Sequence, residues 1–325
     1  MFNAIHTEII TALQQANHVL IISHRKPDGD TIGAGLAIRH YCHSLNKPVQ
    51  NYCLDPAADY FHFLPEANTL GPQNNVWLDK SIDVIVVVDA GDLGYAGVAE
   101  QIAGLPQKYT LINIDHHVTN TNFGQINLVA STASSACEVV YHLLESVRAI
   151  DHTIATCLLT GLITDTGNLT NLATTASAVQ VASRLVSKGA NLAHITKQAL
   201  NHRTYTTLKL WGRALQRLHE DAKTGMVVTT LTLEDLLDCQ ADDEDISGIS
   251  NFLNGLDQSA DKAILVLVQT APDVIKGSLR TTNPLLDVTE FAKLYGGGGH
   301  KKAAGFTTSG TLTLTPTGYA ITPSN

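Results

Sequence analysis

The chain has 325 residues, with 21 Lys and Arg against 30 Asp and Glu, for a net charge of −9. That balance excludes a protein that grips long duplex DNA through its phosphates, which needs a basic surface, and the length favours about two domains over one. With 44% hydrophobic and 16% charged residues the chain reads as folded rather than disordered.

In chain order, apolar spacing predicts a helix over residues 3–16, a strand over 19–23, a helix over 31–45 and a strand over 49–54. Buried strands at 84–88 and 109–114 flank a short helix at 98–102. Alternating strands and helices imply an α/β fold whose N-terminal sheet is mostly parallel and flanked by helices. From 134 to about 218 the pattern turns helical, with apolar spacing at 138–144, 154–163 and 178–186, the last of these a candidate connector. Strands at 226–231, 263–268 and 274–279 and a helix at 288–294 make a smaller C-terminal α+β domain. The expected division is 1–190, a helical connector over 191–221, and 222–325. Between the first two of these later strands, Glu234, Asp235, Asp238, Asp242, Asp243, Glu244 and Asp245 stand without a basic residue among them and are read as solvated surface.

The first residues lack a basic leader with an apolar core, and no apolar run approaches the ~20 residues that span a bilayer. A cytoplasmic protein without a membrane partner is therefore expected. Five cysteines without C-x-x-C spacing argue against a disulfide framework or zinc knuckle, and read as small buried thiols. Several histidines, by contrast, sit among aspartates, where metal ligation is a live reading.

In an open α/β sheet, ligands bind at the carboxyl ends of the strands. The first strand runs into Ser23-His24-Arg25-Lys26-Pro27-Asp28-Gly29-Asp30-Thr31, with one imidazole and two carboxylates within seven residues. This segment alone is read equally well as a turn and helix N-cap, provided by Asp30 or Thr31. The next strand end carries Asp89 after a run of valines, where a buried carboxylate needs a partner or a cation. The strand after that ends in Asp115-His116-His117, and Asp165 closes an apolar helix. Three successive strand ends bearing metal-type ligands point to a metal site. In the second domain, Gly296-Gly297-Gly298-Gly299-His300 followed by two lysines suits an oxyanion cradle, with a flexible hinge as the alternative. Arg280, at a strand end in the same domain, could clamp a phosphate bidentately.

Together these motifs resemble the DHH phosphoesterases of the DHHA1 branch: the His24–Asp30 motif, Asp89, the Asp115-His116-His117 triplet, Asp165 and the glycine-rich motif ending in His300 stand in that family's order. The length is most similar to members that degrade short oligoribonucleotides and dephosphorylate 3′-phosphoadenosine 5′-phosphate (pAp). The resemblance implies a DHH catalytic domain followed by a DHHA1 substrate-binding domain. It implies two divalent ions, usually manganese with magnesium as the alternative: one held by His24, Asp28 and Asp89, the second by Asp30, Asp89, His116 and Asp165. Asp89 would bridge them, Asp115 would orient an imidazole, and His117 would contact the scissile phosphate. Arg280, Gly297, Gly298, Gly299 and His300 would hold a nucleotide phosphate. Short RNA and nucleotide phosphates are the implied substrates, and a homodimer is allowed. Two positions depart from the family's usual residues, Lys26 in place of Asn and Ala34 in place of Ser. Competing expectations are linear or cyclic dinucleotides, pyrophosphate or polyphosphate at the same centre, and a non-catalytic nucleotide-binding regulator.

Overall fold

The protein is described from a computed structural model covering residues 2–171, 173–200, 204–246, 248–256, 262–315 and 318–322. Two compact units divide at residue 202, Met1–His202 and Arg203–Asn325.

The first unit holds α1 (Phe2–Gln15), β1 (Val19–Ser23), α2 (Gly29–Ser44), β2 (Val49–Tyr52), β3 (Val84–Val88), α3 (Leu93–Ala96), α4 (Ala99–Ala103), β4 (Thr110–Asp115), β5 (Ile126–Val129), α5 (Ala136–Glu145), α6 (His152–Asp165), α7 (Ala176–Ser187) and α8 (Leu192–Ile195). Its five strands are all parallel, in the order β2-β1-β3-β4-β5. Along β3, Val84, Val86 and Val88 join one core and Ile85 and Val87 the core on the opposite face. Burial on both faces is why this strand reads as an uninterrupted apolar run.

The helix expected from residue 31 begins at Gly29, because Asp28 is the N-cap and accepts from the backbone N–H of Asp30 (3.0 Å) and Thr31 (3.2 Å). Neither Asp30 nor Thr31 is the cap. The helix read at 178–186 is α7, and its Ala178, Val181, Ala182 and Leu185 pack in the first unit's core instead of linking two domains. α2 and α6 approach closely through glycine. A Cβ on Gly33 would lie 2.4 Å from the Cys157 carbonyl oxygen, and one on Gly161 2.9 Å from Asp30 Cα. All five cysteines are buried free thiols.

The second unit comprises α9 (Tyr205–Gln216), β6 (His219–Glu220), β7 (Val227–Leu231), α10 (Leu233–Cys239), α11 (Asp243–Ile246), α12 (Ile249–Leu256), β8 (Ile264–Ala271), β9 (Val274–Arg280), α13 (Thr289–Lys293), β10 (Gly298–His300), β11 (Ala303–Ser309), β12 (Thr311–Thr315) and β13 (Gly318–Thr322). Six strands form a mixed sheet, β10-β11-β9-β8-β7-β6, in which only β7 and β8 pair in parallel, and β12 and β13 form a separate pair. Within the 191–221 segment, α8 sides with the first unit and α9 with the second.

The acidic stretch is not simply solvated surface. Asp235 is buried, closes a capping box with Thr232, and takes two arginines, Arg213 of α9 with Nη1 at 2.8 Å and Arg217 at the C-cap of that helix with Nη2 at 2.9 Å. The side chains of Asp243 and Glu244 lie outside the described residues. Burial alone would push the Asp235 carboxyl up, but Arg217, the Thr232 N–H and Arg213 hold it well below the ordinary carboxylate range. Since the folded-state pKa is depressed, this stabilisation is full above the unfolded value near 4 and is lost as pH falls towards the folded one. Asp235→Ala, which strands two arginines beside a desolvated cavity, is expected to destabilise the second unit by about 3 kcal/mol at neutral pH. The loss should shrink in acid. Denaturant unfolding followed through Trp211 emission in a Trp77→Phe background, at pH 7 and pH 3, measures both.

Candidate metal centre

The parallel sheet sends the ends of β1, β3 and β4 to one edge, and the start of α2 and the end of α6 arrive at the same place. His24 follows β1, Asp28 caps α2 and Asp30 lies in its first turn, Asp89 follows β3, Asp115 ends β4 ahead of His116 and His117, and Asp165 ends α6. The structure thus brings together all eight residues singled out in the first unit.

Both inner imidazoles turn Nε2 towards carboxylates. His24 Nδ1 lies 2.8 Å from the Arg25 carbonyl oxygen, which only accepts, so Nδ1 carries the proton. Its Nε2 then faces Asp89 Oδ2 at 3.4 Å and Asp28 Oδ1 at 3.7 Å. His116 Nε2 faces Asp89 Oδ1 at 3.5 Å, Asp165 Oδ2 at 3.7 Å and Asp30 Oδ2 at 3.9 Å. These separations exceed the roughly 2.7–3.2 Å of an N–H···O bond. They suit donors that share a cation, because ligand atoms each about 2.0–2.2 Å from one ion stand about 3–4 Å apart. Asp89 Oδ1 is buried and accepts no hydrogen bond. Mixed imidazole and carboxylate donors are the set that takes divalent first-row ions and magnesium, so the residues fit the metals that the motifs imply. The donor atoms fall into three groupings within 4.8 Å: His24, Asp28 and Asp89; Asp30, His116 and Asp165; and Asp89, Asp115, His116 and His117.

Electrostatics agree with the geometry. Burial opposes charge on His24, yet Asp28 and Asp89 raise its pKa to about 11. His116 is likewise raised to about 10, against burial, by Asp89 and Asp30. Asp165 is pushed up to about 6 by burial, with Asp89 and Asp28 adding to it against the pull of His116. Asp30 is raised well above the carboxylate range by burial and by Asp89 and Asp165, although it accepts from the N–H groups of Ala136 (2.6 Å) and Cys137 (2.9 Å) at the start of α5. Carboxylates crowded this closely hold protons unless another cation balances them.

Asp115 behaves differently. It is fully buried but accepts from the His116 N–H (2.8 Å), His117 Nδ1 (2.8 Å) and Asn120 Nδ2 (2.6 Å), which hold its pKa low against the burial penalty. Asn120 escapes a reading of the sequence, whose only signal is an Asn three residues beyond the triplet. Tyr95 also escapes it, a half-exposed ring whose centroid lies 5.1 Å from that of His24. Lys26 sits at φ 52°, a left-handed conformation that an Asn adopts more readily than a Lys. Ala34 is buried inside α2.

In the second unit Arg280 and His300 both pair with Ala303, from neighbouring strands, so they share a face of the sheet about 10 Å apart. Arg280 Nε donates to Asn251 Oδ1 (2.7 Å) and Nη1 to the Leu279 carbonyl (2.8 Å). A Cβ on Gly297 would sit 2.2 Å from the Gly305 carbonyl oxygen and one on Gly299 2.5 Å from that of Ala303, whereas Gly298 borders open space. Lys302 is committed to the carbonyls of Asn283 and Leu286. A cavity of 730 Å³, lined by residues such as Glu8, Asp83, Lys108 and Gln125, lies at the opposite, amino-terminal ends of the first unit's strands, away from these ligands.

Residues 18–162 match the DHH family, N-terminal domain, and residues 224–314 match the DHHA1 domain. The chain is 28% identical over 306 residues to the bifunctional oligoribonuclease and PAP phosphatase NrnA of Thermus thermophilus, spanning 93% of this chain and 87% of that protein. It is 25% identical over 320 residues to the cyclic-di-AMP phosphodiesterase PdeA of Listeria monocytogenes, spanning 90% of this chain but 44% of that protein. An exopolyphosphatase-related protein from Bacteroides fragilis has a similar solved structure, with a TM-score of 0.84 and 26% identity over 94% of this chain and 91% of that one.

Proposed function

The chain belongs to the DHH family of metal-dependent phosphoesterases and carries a DHHA1 domain, and from that premise we propose that it hydrolyses short oligoribonucleotides to mononucleotides and removes the 3′-phosphate of pAp. The observation that carries this reading is Asp89, a buried carboxylate at the end of β3 whose Oδ2 faces His24 Nε2 and whose Oδ1, which accepts no hydrogen bond, faces His116 Nε2. Likeness over nearly the full length to a protein named for both activities supports the substrates.

His24, Asp28 and Asp89 would hold one divalent ion and Asp30, Asp89, His116 and Asp165 a second, manganese being the first choice and magnesium the other. Bound there, divalent ions supply positive charge for a phosphoryl oxygen and make a water acidic near neutral pH. The chain's own groups do the rest. The Arg25 carbonyl fixes the His24 tautomer, and the first N–H groups of α5 anchor Asp30. Asp115 accepts the hydrogen bond of His117 Nδ1–H, leaving Nε2 of that half-exposed ring for the scissile phosphate. Arg280, Gly297, Gly298, Gly299 and His300 would hold a nucleotide phosphate. A net charge of −9 suits substrates of a few nucleotides, which need no long basic track. Cytoplasmic residence and a homodimer belong to the same proposal; among the described residues no helix is long and apolar enough to cross a membrane.

The similarity to PdeA favours one second reading, hydrolysis of cyclic or linear dinucleotides at the same centre. Turnover should be measured with manganese, with and without a chelator, on pAp, an RNA dimer-to-pentamer series, a long RNA, linear and cyclic di-adenylate, and pyrophosphate. The expected result is chelator-sensitive release of mononucleotides, fastest from the shortest RNAs, with phosphate released from pAp. A preference for cyclic di-adenylate would move the substrate to the second reading. No turnover of any member would leave a nucleotide-binding regulator.

A further inference from the structure

Asn113 lies in the middle of β4 with no exposure, flanked by Ile112 and Ile114. A buried amide in an apolar strand costs stability unless all its polar atoms are used. Its Nδ2 donates to Asn120 Oδ1 (2.9 Å) and to Asn127 Oδ1 (3.0 Å), and Asn127 is tied in turn to both backbone polar groups of Gly124. The chain of amides leads towards the metal centre.

Its last member is Asn120, and every polar atom of that side chain has a partner. Oδ1 accepts from Asn113 Nδ2 and from the Asn122 N–H (2.7 Å), while Nδ2 donates to Asp115 Oδ2 (2.6 Å) and to the Ala90 carbonyl (3.1 Å). A flipped amide would aim an oxygen at the Asp115 carboxylate and an NH2 at the Asn122 N–H, so only one orientation is allowed. Two structural consequences follow. The second oxygen of Asp115 is occupied, which fixes the plane of the carboxylate and leaves Oδ1 to His117 Nδ1 and the His116 N–H. The loop carrying His117 is also fastened to the one carrying Asp89, through Ala90 and through the Thr121 N–H to the Gly91 carbonyl (2.9 Å).

Resting on the reading of His117 given above, we infer that Asn120 is a positioning residue for hydrolysis: it orients Asp115, and through Asp115 it sets the tautomer and direction of the His117 ring that meets the phosphate. A loop staple alone would hold the backbone and leave the ring unaffected. The two roles separate experimentally.

Asn120→Asp keeps the shape and the acceptor atoms but loses both donors. With manganese and an RNA dimer, it is expected to lower kcat by about 10- to 100-fold, the usual cost of removing a group that orients a ligand or catalytic side chain, with KM changed less than about threefold. The same substitution made in a His117→Ala background should cost less than about twofold, because the group through which it acts is already gone. Additive losses would overturn the inference. Nitrogen-15 NMR of the His117 ring in the metal-free protein reads the same point without substrate. In solution alkaline enough to hold the ring neutral, the wild type should show a single tautomer with Nδ1 protonated and hydrogen-bonded to Asp115, and Asn120→Asp a mixture. An unchanged ring spectrum overturns the inference even if the wild type hydrolyses nothing on the panel, whereas an inactive wild type with the expected spectral change overturns only the hydrolytic reading. If Asn120→Asp does not fold, Asn120→Ala, which introduces no charge, is judged by the same two measurements.

Discussion

Asp89→Asn is expected to lower turnover by about 10³-fold or more while the metal-free protein melts close to the wild type. The residue sits just past β3 at φ 57°, a left-handed conformation in which Asn is as comfortable as Asp, and its N–H bond to the Ile114 carbonyl (2.9 Å) does not depend on the side chain. The backbone therefore has no reason to change. The charge is another matter. Asp89 is one cause of the raised pKa of Asp30 and of Asp165, so neutralising it relieves repulsion in the metal-free site while giving up its pairing with His24 and His116, and the two effects oppose each other. It is also the carboxylate that both His24 Nε2 and His116 Nε2 face, so the amide takes from each proposed ion a charged ligand. Metal ions supply several kcal/mol of transition-state stabilisation in such sites, and about 4 kcal/mol corresponds to about 10³ in rate. Melting curves with and without manganese complete the test. An ion at about 100 times its Kd stabilises the wild type by about 2.7 kcal/mol, and the variant should gain little. An active Asp89→Asn, or one that manganese stabilises as well as the wild type, would remove Asp89 from the proposed centre.

Gly161→Ala, which adds one carbon at a buried position of α6, should disable the site through packing. The added Cβ would lie 2.3 Å from Cys137 Sγ, 2.8 Å from Asp30 Oδ1 and 2.9 Å from Asp30 Cα, distances that real atoms do not tolerate. α2 must move away from α6, carrying Asp30 out of reach of Asp165 and His116. Overpacking of this kind costs about 1–3 kcal/mol in stability, and a displacement near 1 Å at the reacting groups costs about 10²-fold in rate. Cys137→Ala in the same chain removes the worst clash and should recover part of both losses, since the two sites share one contact. Thermal melts and turnover on the four proteins of the cycle give the answer. If Gly161→Ala is as active as the wild type, the α2–α6 contact does not set the position of Asp30.

The lines of the fold that a reader of the sequence can find are those where one physical rule acts alone. β1 and β3 are five-residue strands buried on both faces and apolar throughout except for Ser23, and their predicted ends coincide with the observed ones. β5 was missed because it is short and its burial alternates, so Asn127 and the flanking polar residues read as loop. β10 was missed because its glycines carry no strand preference and are required instead by close approach to β11. The sequence sets the start of α2 two residues late because it offers Asp30 or Thr31 as the cap and Asp28 as a ligand, whereas Asp28 is placed to be both.

The candidate centre was more legible than the fold around it. A parallel sheet gathers the carboxyl ends of its strands, so His24, Asp89 and the Asp115 triplet could be assigned to one edge from their positions alone. What the linear order hides is reciprocity between distant residues. Asp235 reads as solvated because its arginines lie on α9 and at its C-cap, 22 and 18 residues away. The grip of Asn120 on Asp115 depends on the path of a loop that no spacing rule describes.

The buried thiols bear on how the protein would age in air. Cys53 Sγ lies 3.1 Å from the His24 carbonyl and Cys137 Sγ 3.4 Å from that of Asp30, so two of the five sit directly behind proposed ligands. Burial pushes Cys42 and Cys157 up to about 12 and Cys53 to about 11, and raises Cys137 well above its ordinary value. Oxidants attack the thiolate, and these groups are neither ionised nor reachable in the native state. Peroxide damage to the centre must therefore wait for the first unit to open, and the durability of the ligand set against oxidation is the durability of the fold itself.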